Sequence, residues 1–137
     1  YPMDIDLYQT HKTIEHARLA LKNRGILIIV SECRDGIGPR KFYDFLSSSD
    51  SLDKVIKNVR KEYKLGYHKA ARMAELLKCA EIWTVCDIED NVLKKAFLNP
   101  FSSIQKAIEK AIEIKGKDVK ILFLMDCSLT LPVLKRD

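Results

Sequence analysis

The sequence predicts an α/β fold: a small, mostly parallel sheet of at least three strands with helices on both faces, in a Rossmann-like arrangement. Short apolar segments rich in β-branched residues alternate with longer segments of helical period. The apolar segments are continuous rather than alternating, which is typical of parallel strands buried on both faces. The length of 137 residues suits one domain with its own core. We therefore expect residues 1–137 to be a single α/β domain.

The first predicted helix covers residues 7–24. Four residues recur at a spacing that places them on one helix face: Thr10, Ile14, Ala17 and Leu21. Gly25 follows as a typical helix stop. Residues 26–30 are all Ile, Leu or Val and predict the first strand. The polar, glycine-containing residues 32–38 then predict a loop at the carboxyl end of that strand.

The remaining predicted elements are helices over residues 39–46, 52–63, 67–78, 89–98 and 101–115, and strands over residues 81–86 and 119–125. Pro39 suits the first position of a helix, and Gly116 suits the position after one. Asn99 and Pro100 are predicted to interrupt the chain between two helices. Because strands alternate with helices, crossovers would bring the carboxyl ends of the strands to one edge of the sheet. Any ligand is expected at that edge, beside the start of the first helix.

The composition is that of a globular protein, with 47% hydrophobic and 31% charged residues. The net charge of +5 comes from lysines and arginines interleaved with acidic residues, which indicates a solvated surface rather than a nucleic-acid site. No segment has the length and apolar character of a membrane span, and no signal peptide stands at the front. We therefore expect a cytoplasmic protein that binds neither nucleic acid nor membrane. The absence of an initiator Met is expected for a domain that begins within a longer protein.

Cysteine and histidine spacing argues against a metal site in this chain. Cys33, Cys86 and Cys127 end predicted strands and could ligate a soft metal, but packing as small apolar residues is the favoured interpretation. The sequence contains no C-x-x-C pair, which favours free thiols in a reducing compartment. His11 and His16 are five residues apart on a helix, so they cannot share one ion as an i,i+4 pair could.

The start of the first helix carries the functional signal. Asp6 is a predicted N-cap with Gln9 at the N3 position, as in a capping box. Tyr8 and Lys12 are four residues apart and share a face opposite the apolar one. In the simplest interpretation both are exposed surface residues. However, a lysine near the positive end of the helix dipole is unfavourable, and an ammonium, an amide and a phenol at a helix start suit a carboxylate or a phosphate.

The segment P-M-D-I-D-L-Y-Q-T-H-K at residues 2–12 resembles the P-x-D-x-x-x-Y-Q-x-x-K stretch that opens the carboxyl-terminal domain of nickel-pincer lactate racemases and related 2-hydroxyacid racemases. The resemblance covers essentially the whole chain, and Y-Q-x-x-K is its most informative part. It continues through I-L-I-I-V-S-E-C, D-G-I-G, F-Y-D-F-L, G-Y-H-K-A-A-R-M-A and F-L-M-D-C-S-L-T-L-P.

The resemblance implies that this chain is the carboxyl-terminal domain of a two-domain isomerase that racemises a small 2-hydroxyacid. It implies that Gln9 and Lys12 help to hold the substrate carboxylate, with Tyr8 beside them, in the cleft between the domains. The catalytic histidines and the lysine that bears the nickel-pincer nucleotide belong to the family's amino-terminal domain. The resemblance therefore implies no catalytic residue and no cofactor in this chain alone, which should be inactive in isolation. The partners it implies are the substrate and the amino-terminal domain.

Three further residues are candidates for the substrate pocket. His68 lies in G-Y-H-K, where some family members place a tryptophan, so a histidine would change the shape and polarity of the pocket. Arg34 and Asp35 lie in a loop that resembles the family's loop at the cleft edge. That loop lacks the third glycine of a dinucleotide fingerprint and also suits a tight turn. Two alternatives stay open: a non-catalytic module that binds a nucleotide or another anion, and a related enzyme that epimerises or dehydrates another acid.

Overall fold

The computed structural model describes residues 2–61 and 67–133. Within these ranges the elements are α1 (Leu7–Ala17), β1 (Ile26–Val30), α2 (Arg40–Leu46), α3 (Leu52–Lys61), α4 (Tyr67–Cys79), β2 (Glu81–Val85), α5 (Asp90–Lys95), β3 (Asn99–Pro100) and α6 (Ile104–Lys115). The five helices predicted after β1 are thus present, with ends shifted by a few residues. The last two residues of the helix predicted over 52–63 lie outside the described ranges. None of the described helices is both long and apolar enough to cross a membrane.

Helix α1 begins where the sequence predicts and ends earlier. The Asp6 carboxylate accepts a hydrogen bond from the Gln9 backbone N–H at 2.6 Å, so Asp6 is the N-cap. The helix ends at Ala17 and gives way to one 3-10 turn. It cannot extend to residue 24, because Leu21 has an extended backbone and Arg24 a left-handed one, with φ of 59°. Three residues of the predicted apolar face are buried: Thr10, Ile14 and Ala17.

The three strands form one parallel sheet in the order β1-β2-β3. Successive residues of a strand face opposite sides of the sheet. Ile82 therefore packs into the larger core, which contains side chains from α1 to α5. Its neighbour Trp83 is buried on the other face, against Ala107 and Ala111 of α6. Helices cover both faces, which confirms the predicted α/β architecture.

The third strand is not the one that the sequence predicts. Residues 119–125 form no strand, so that prediction is wrong, and the third strand is instead the short segment Asn99–Pro100, where only a break was predicted. Pro100 lacks an N–H donor, which an edge strand tolerates. Residues 119–125 have the apolar pattern of a strand. A strand also needs a neighbouring strand to pair with, and the pattern does not show whether one is available. Large apolar side chains in and after this segment are exposed: Ile121, Leu122, Phe123, Met125, Leu129, Leu131 and Val133.

The loop after β1 holds the start of α1 through the backbone. Three N–H···O=C hydrogen bonds join the two segments: Cys33 to Asp4 at 2.8 Å, Asp35 to Ile5 at 2.9 Å and Leu7 to Gly36 at 3.1 Å. The last of these satisfies an N–H of the first helical turn, which has no partner within the helix. The loop therefore fixes both the position and the direction of α1 relative to the sheet.

Gly38 closes this loop against α1. Its φ is 87°, and a Cβ there would lie 2.7 Å from the Tyr8 Cβ. We expect Gly38→Ala to lower the free energy of unfolding by about 3 kcal/mol, because left-handed strain and steric overlap add together. Urea unfolding followed by circular dichroism measures the loss. Gly36→Ala is the matched control: φ is 77° but nothing lies within 4 Å, so we expect a loss of about 1 kcal/mol. Equal losses in the two variants would contradict the close approach at Gly38.

Candidate functional site

A cavity of about 470 Å³ lies between α1 and α4. Its volume is within the range of small-molecule sites. The described residues that line it come from α1, α4 and the segment after α6: His11, Lys12, Glu15, His16, His68, Lys69, Arg72 and Ser128. Lysine, arginine and histidine dominate this lining, so the cavity suits an anionic or polar ligand.

A second, smaller cavity of about 310 Å³ lies at the amino ends of β2 and β3, where it contacts Glu81 and Asn99. Apolar side chains of α3, of α4 and of the residues that follow α4 and α5 form much of its wall. Ligands of open α/β folds bind at the carboxyl ends of the strands. This rule argues against the smaller cavity, and the cationic lining makes the cavity between α1 and α4 the candidate site, although the loops that follow β1 and β2 contribute none of its described lining residues.

The structure brings Lys12 and His68 together at this cavity. Lys12 is exposed, and its Nζ lies 3.7 Å from the Met3 sulfur. Gln9 is half-buried and lies three residues earlier on α1, a spacing that places it beside Lys12 on the helix surface. Tyr8 and Gln9 do not line the cavity. Of the four residues, Lys12 and His68 are therefore the ones that a ligand in the cavity would meet directly.

Lys69 of α4 fixes the position of Tyr8. Its ammonium donates a hydrogen bond to the Tyr8 backbone carbonyl at 2.8 Å and lies 3.5 Å from the centroid of the Tyr8 ring. The ring also packs edge-on against Phe42, with centroids 5.5 Å apart. Burial lowers the pKa of the Lys69 ammonium, and repulsion from Lys12 lowers it further. An anion bound near both ammonium groups would relieve that repulsion.

Glu15 balances part of the positive charge of the cavity. Its carboxylate accepts hydrogen bonds from Arg72 at 2.7 Å and from Arg18 at 3.3 Å. Both arginines are exposed, so each pair contributes at most about 1 kcal/mol to stability. The pair with Arg72 matters more for orientation, because it holds the Arg72 guanidinium against α1. The charge of Arg72 is therefore already compensated within the protein.

His11 is buried, with 2% of its surface exposed, and its Nε2 atom has no hydrogen-bond partner. The nearest acid, Glu15, has its Oε1 atom 3.9 Å from Nε2, which is too long for a hydrogen bond. Burial lowers the pKa of the His11 imidazole to about 4, although the Glu15 carboxylate opposes the shift. The imidazole is therefore neutral at neutral pH. The Nδ1 atom of His68 is also buried without a partner.

His11, Lys69 and Arg72 line the cavity but were not predicted from the sequence as residues of a binding cavity. For His11 a signal existed, because it lies four residues after Leu7 and three before Ile14, on the buried face of α1. For Lys69 and Arg72 there was none. Both reach α1 only because α4 packs beside it, and that packing depends on the tertiary fold.

Arg34 and Asp35 lie outside the cavity. Both are exposed in the loop after β1, where the Arg34 Nε atom is 3.9 Å from an Asp35 carboxylate oxygen. The cavity lining contains neither residue. The structure therefore places them apart from Lys12 and His68, and contact with a ligand stays a prediction for both.

The cysteines predicted to share one sheet edge separate into two places. Contact with Cys86, together with burial, raises the pKa of the Cys33 thiol, whereas the same contact lowers the pKa of Cys86 to about 7. Cys127 instead lies against α1, where its Sγ donates to the Thr13 carbonyl at 3.5 Å. All four cysteines are free thiols. In residues 2–61 and 67–133, no group of three His, Cys, Asp or Glu side chains could hold a metal ion.

Residues 1–130 match the family model of the lactate racemase C-terminal domain. The chain is similar to the lactate racemase of Thermoanaerobacterium thermosaccharolyticum, with 29% identity over 131 residues. It is also similar to the lactate racemase of Lactiplantibacillus plantarum, with 28% identity over 131 residues. Each match covers 92% of this chain and 31% of the relative. The chain therefore spans about a third of the length of the curated relatives it matches.

The fold is shared with a solved structure. The lactate racemase apoprotein from Thermoanaerobacterium thermosaccharolyticum superimposes with a TM-score of 0.77 at 27% sequence identity. The match covers 83% of this chain and 28% of that one. The parallel α/β architecture described above is therefore the architecture of part of that protein.

The buried His11 predicts that stability depends on pH. Its imidazole has a pKa of 6.5 in the unfolded chain and about 4 in the fold. Between these values the unfolded chain binds more protons, so stability falls as the pH falls from 6.5 to about 4. The contribution lost is up to about 3 kcal/mol. We expect His11→Gln to remove this part of the pH dependence, measured by urea unfolding across the same range. Parallel pH profiles for the wild type and the variant would show that His11 does not titrate in this way.

Proposed function

Because the chain belongs to the lactate racemase C-terminal domain family, we propose that it is the carboxyl-terminal, cleft-forming domain of a nickel-dependent 2-hydroxyacid racemase and helps to bind the substrate carboxylate. The observation that carries the proposal is the exposed Lys12 ammonium at the cavity between α1 and α4. The curated relatives are about three times as long as this chain. The additional length would supply the amino-terminal domain.

Lys12 would hold the carboxylate at the cavity, and Gln9, which lies beside Lys12 on α1 but does not line the cavity, would reach the same carboxylate from the cavity edge. The ammonium offers a charge-assisted hydrogen bond, and the amide N–H offers a second donor. Both residues lie on α1, whose first turn is fixed by the Asp6 cap and by the loop after β1. Tyr8, held by Lys69, would support this wall. Holding the carboxylate in one orientation lowers the entropic cost of reaching the reactive geometry and helps to exclude water when the domains close.

The reaction chemistry would come from the other domain. As the family resemblance implies, the nickel-pincer nucleotide and the catalytic histidines would lie in the amino-terminal domain. The chemistry supplied there would be hydride transfer from the substrate Cα and its return to the opposite face, with a histidine as base for the hydroxyl. The residues of this chain would bind and orient the substrate. The four free thiols support a cytoplasmic location for the parent enzyme.

The exposed apolar residues after α6 offer a contact surface for the amino-terminal domain. Met125 is 80% exposed and Leu129 is 87% exposed. Contiguous exposed apolar side chains are typical of protein–protein contacts. The same segment reaches the candidate site, because Ser128 lines the cavity and the Cys127 carbonyl lies 2.8 Å from His16 Nδ1. A domain docked on this surface would lie next to the cavity, as a substrate site between two domains requires.

A non-catalytic anion-binding module is the alternative function. The cationic lining of the cavity favours it, because such a lining would also hold a nucleotide phosphate. A related enzyme that epimerises or dehydrates another acid is a further possibility, and His68 at the cavity is the residue that would adapt the site to that acid. Racemisation by the full-length protein distinguishes these functions from the one proposed.

Lys12→Ala in the full-length protein tests the carboxylate role. We expect kcat/KM for racemisation to fall by about 10- to 100-fold, because a charge-assisted hydrogen bond to the substrate is lost. Bound nickel should be unchanged, since the metal would lie in the other domain. Lys22→Ala, at an exposed lysine outside the cavity, is the matched control and should keep the wild-type rate. A full rate in Lys12→Ala would remove the carboxylate role, and absence of nickel and of racemisation in the wild type would favour the anion-binding module.

The 137-residue chain alone should not racemise any 2-hydroxyacid. The reason is that the proposed catalytic histidines and cofactor belong to the amino-terminal domain. Chiral chromatography of lactate and longer hydroxyacids after incubation with the isolated chain measures this directly. Turnover above the buffer blank would contradict the assignment of catalysis to the other domain.

A further inference from the structure

The thiols of Cys33 and Cys86 meet where the loop after β1 passes the end of β2. The residues on either side of Cys86 are hydrogen-bonded through the backbone to the two residues that precede Cys33, with N···O distances of 3.2 and 3.1 Å. The two cysteine side chains are in contact. Neighbouring strands lie about 4.8 Å apart, which is within the range of Cα separations, about 4.4–6.8 Å, that a disulfide spans. A disulfide can therefore form here without a large backbone movement.

The two thiols differ in accessibility and in acidity. Cys86 is half-buried, whereas Cys33 is 2% exposed. Contact with Cys33 lowers the pKa of the Cys86 thiol to about 7, although burial and the Asp87 carboxylate oppose the shift. Contact with Cys86 and burial raise the pKa of the Cys33 thiol. Because the thiolate is the nucleophilic form of cysteine, Cys86 is the thiol of the pair with which an oxidant reacts first.

Cys33 has a backbone conformation that is uncommon for a residue with a side chain. Its φ is 53°, in the left-handed region, which is unfavourable for residues other than glycine. Strained residues of this kind are concentrated at functional positions. The Cys33 N–H donates to the Asp4 carbonyl at 2.8 Å, and its Sγ lies 3.3 Å from the Ser31 hydroxyl. A covalent change at Cys33 would therefore occur within the contacts that hold the start of α1.

We propose that Cys33 and Cys86 form a reversible disulfide when the protein meets hydrogen peroxide, with Cys86 as the attacking thiol and Cys33 as the resolving thiol. The Cys86 thiolate attacks one peroxide oxygen, the O–O bond breaks, and Cys86 becomes a sulfenic acid while the second oxygen leaves as water. The Cys33 thiol then attacks the Cys86 sulfur and gives up its proton, so that the S–S bond forms and a second water leaves. Two thiols are oxidised and one peroxide is reduced, and a dithiol reductant restores both thiols. This chemistry is independent of the racemase activity.

The test uses the full-length protein, which is reduced, treated with hydrogen peroxide and then blocked at its free thiols with N-ethylmaleimide. After digestion with trypsin, mass spectrometry without reduction should find the peptide of residues 25–34 linked to the peptide of residues 79–94. Fragmentation of the linked peptides should place the bond on Cys86 rather than on Cys79, and dithiothreitol should remove it. Cys79→Ser is the matched control, because it removes the exposed cysteine of the same peptide, and it should keep the link.

Two serine variants separate the roles of the cysteines. In Cys33→Ser, dimedone should trap a sulfenic acid on Cys86, because the resolving thiol is missing. In Cys86→Ser, neither the link nor a dimedone adduct on Cys33 should form. Iodoacetamide labelling of the reduced wild type at neutral pH covers the case in which a variant does not fold, and Cys86 should react at least about tenfold faster than Cys33. Absence of the linked peptides from the oxidised wild type, a bond on Cys79, or equal labelling of Cys33 and Cys86 would overturn the proposal.

Discussion

Three backbone hydrogen bonds between the loop after β1 and the residues that lead into α1 determine where the side chains of the candidate site lie. They tie the first turn of the helix to the end of a strand, so α1 cannot slide along the sheet without breaking them. The missing side chain of Gly38 lets the loop approach Tyr8 closely. The buried Thr10 hydroxyl adds a hydrogen bond to the Ser31 hydroxyl at 2.9 Å. The position of Lys12 relative to the sheet follows from these contacts.

Helix α4 forms the opposite wall of the cavity, and two of its cationic residues turn towards α1. Lys69 is bound to the Tyr8 carbonyl, and Arg72 is bound to the Glu15 carboxylate. These contacts join the two helices, and they give the charged groups of Lys69 and Arg72 partners within the protein. The charge of Lys12 is left for a ligand. The cavity is therefore lined by paired cations of α4 and by the exposed ammonium of Lys12.

The features that depend on local pattern could be predicted from the sequence, and those that depend on packing could not. The Asp6 cap, the buried face of α1 and the strand β1 follow from side-chain type and period. The strand at Asn99–Pro100 has too few residues to show a period, and its proline argued against a strand. Lys12 could be singled out from the sequence, because a lysine near the start of a helix is unfavourable. Lys69 could not, because it meets Tyr8 across 61 residues of sequence.

The register of the sheet has a consequence for the order in which the chain folds. Trp83 is paired with Asn99, across the short connection through α5, whereas Ile26 is paired with Glu81, much further along the chain. Closing the longer loop costs more conformational entropy, and contacts of greater sequence separation form more slowly. We expect the unit of β2, α5 and β3 to assemble first and β1 to join it later. Since the loop after β1 orients α1, a newly synthesised chain would become able to recognise its ligand only in the final stage of folding.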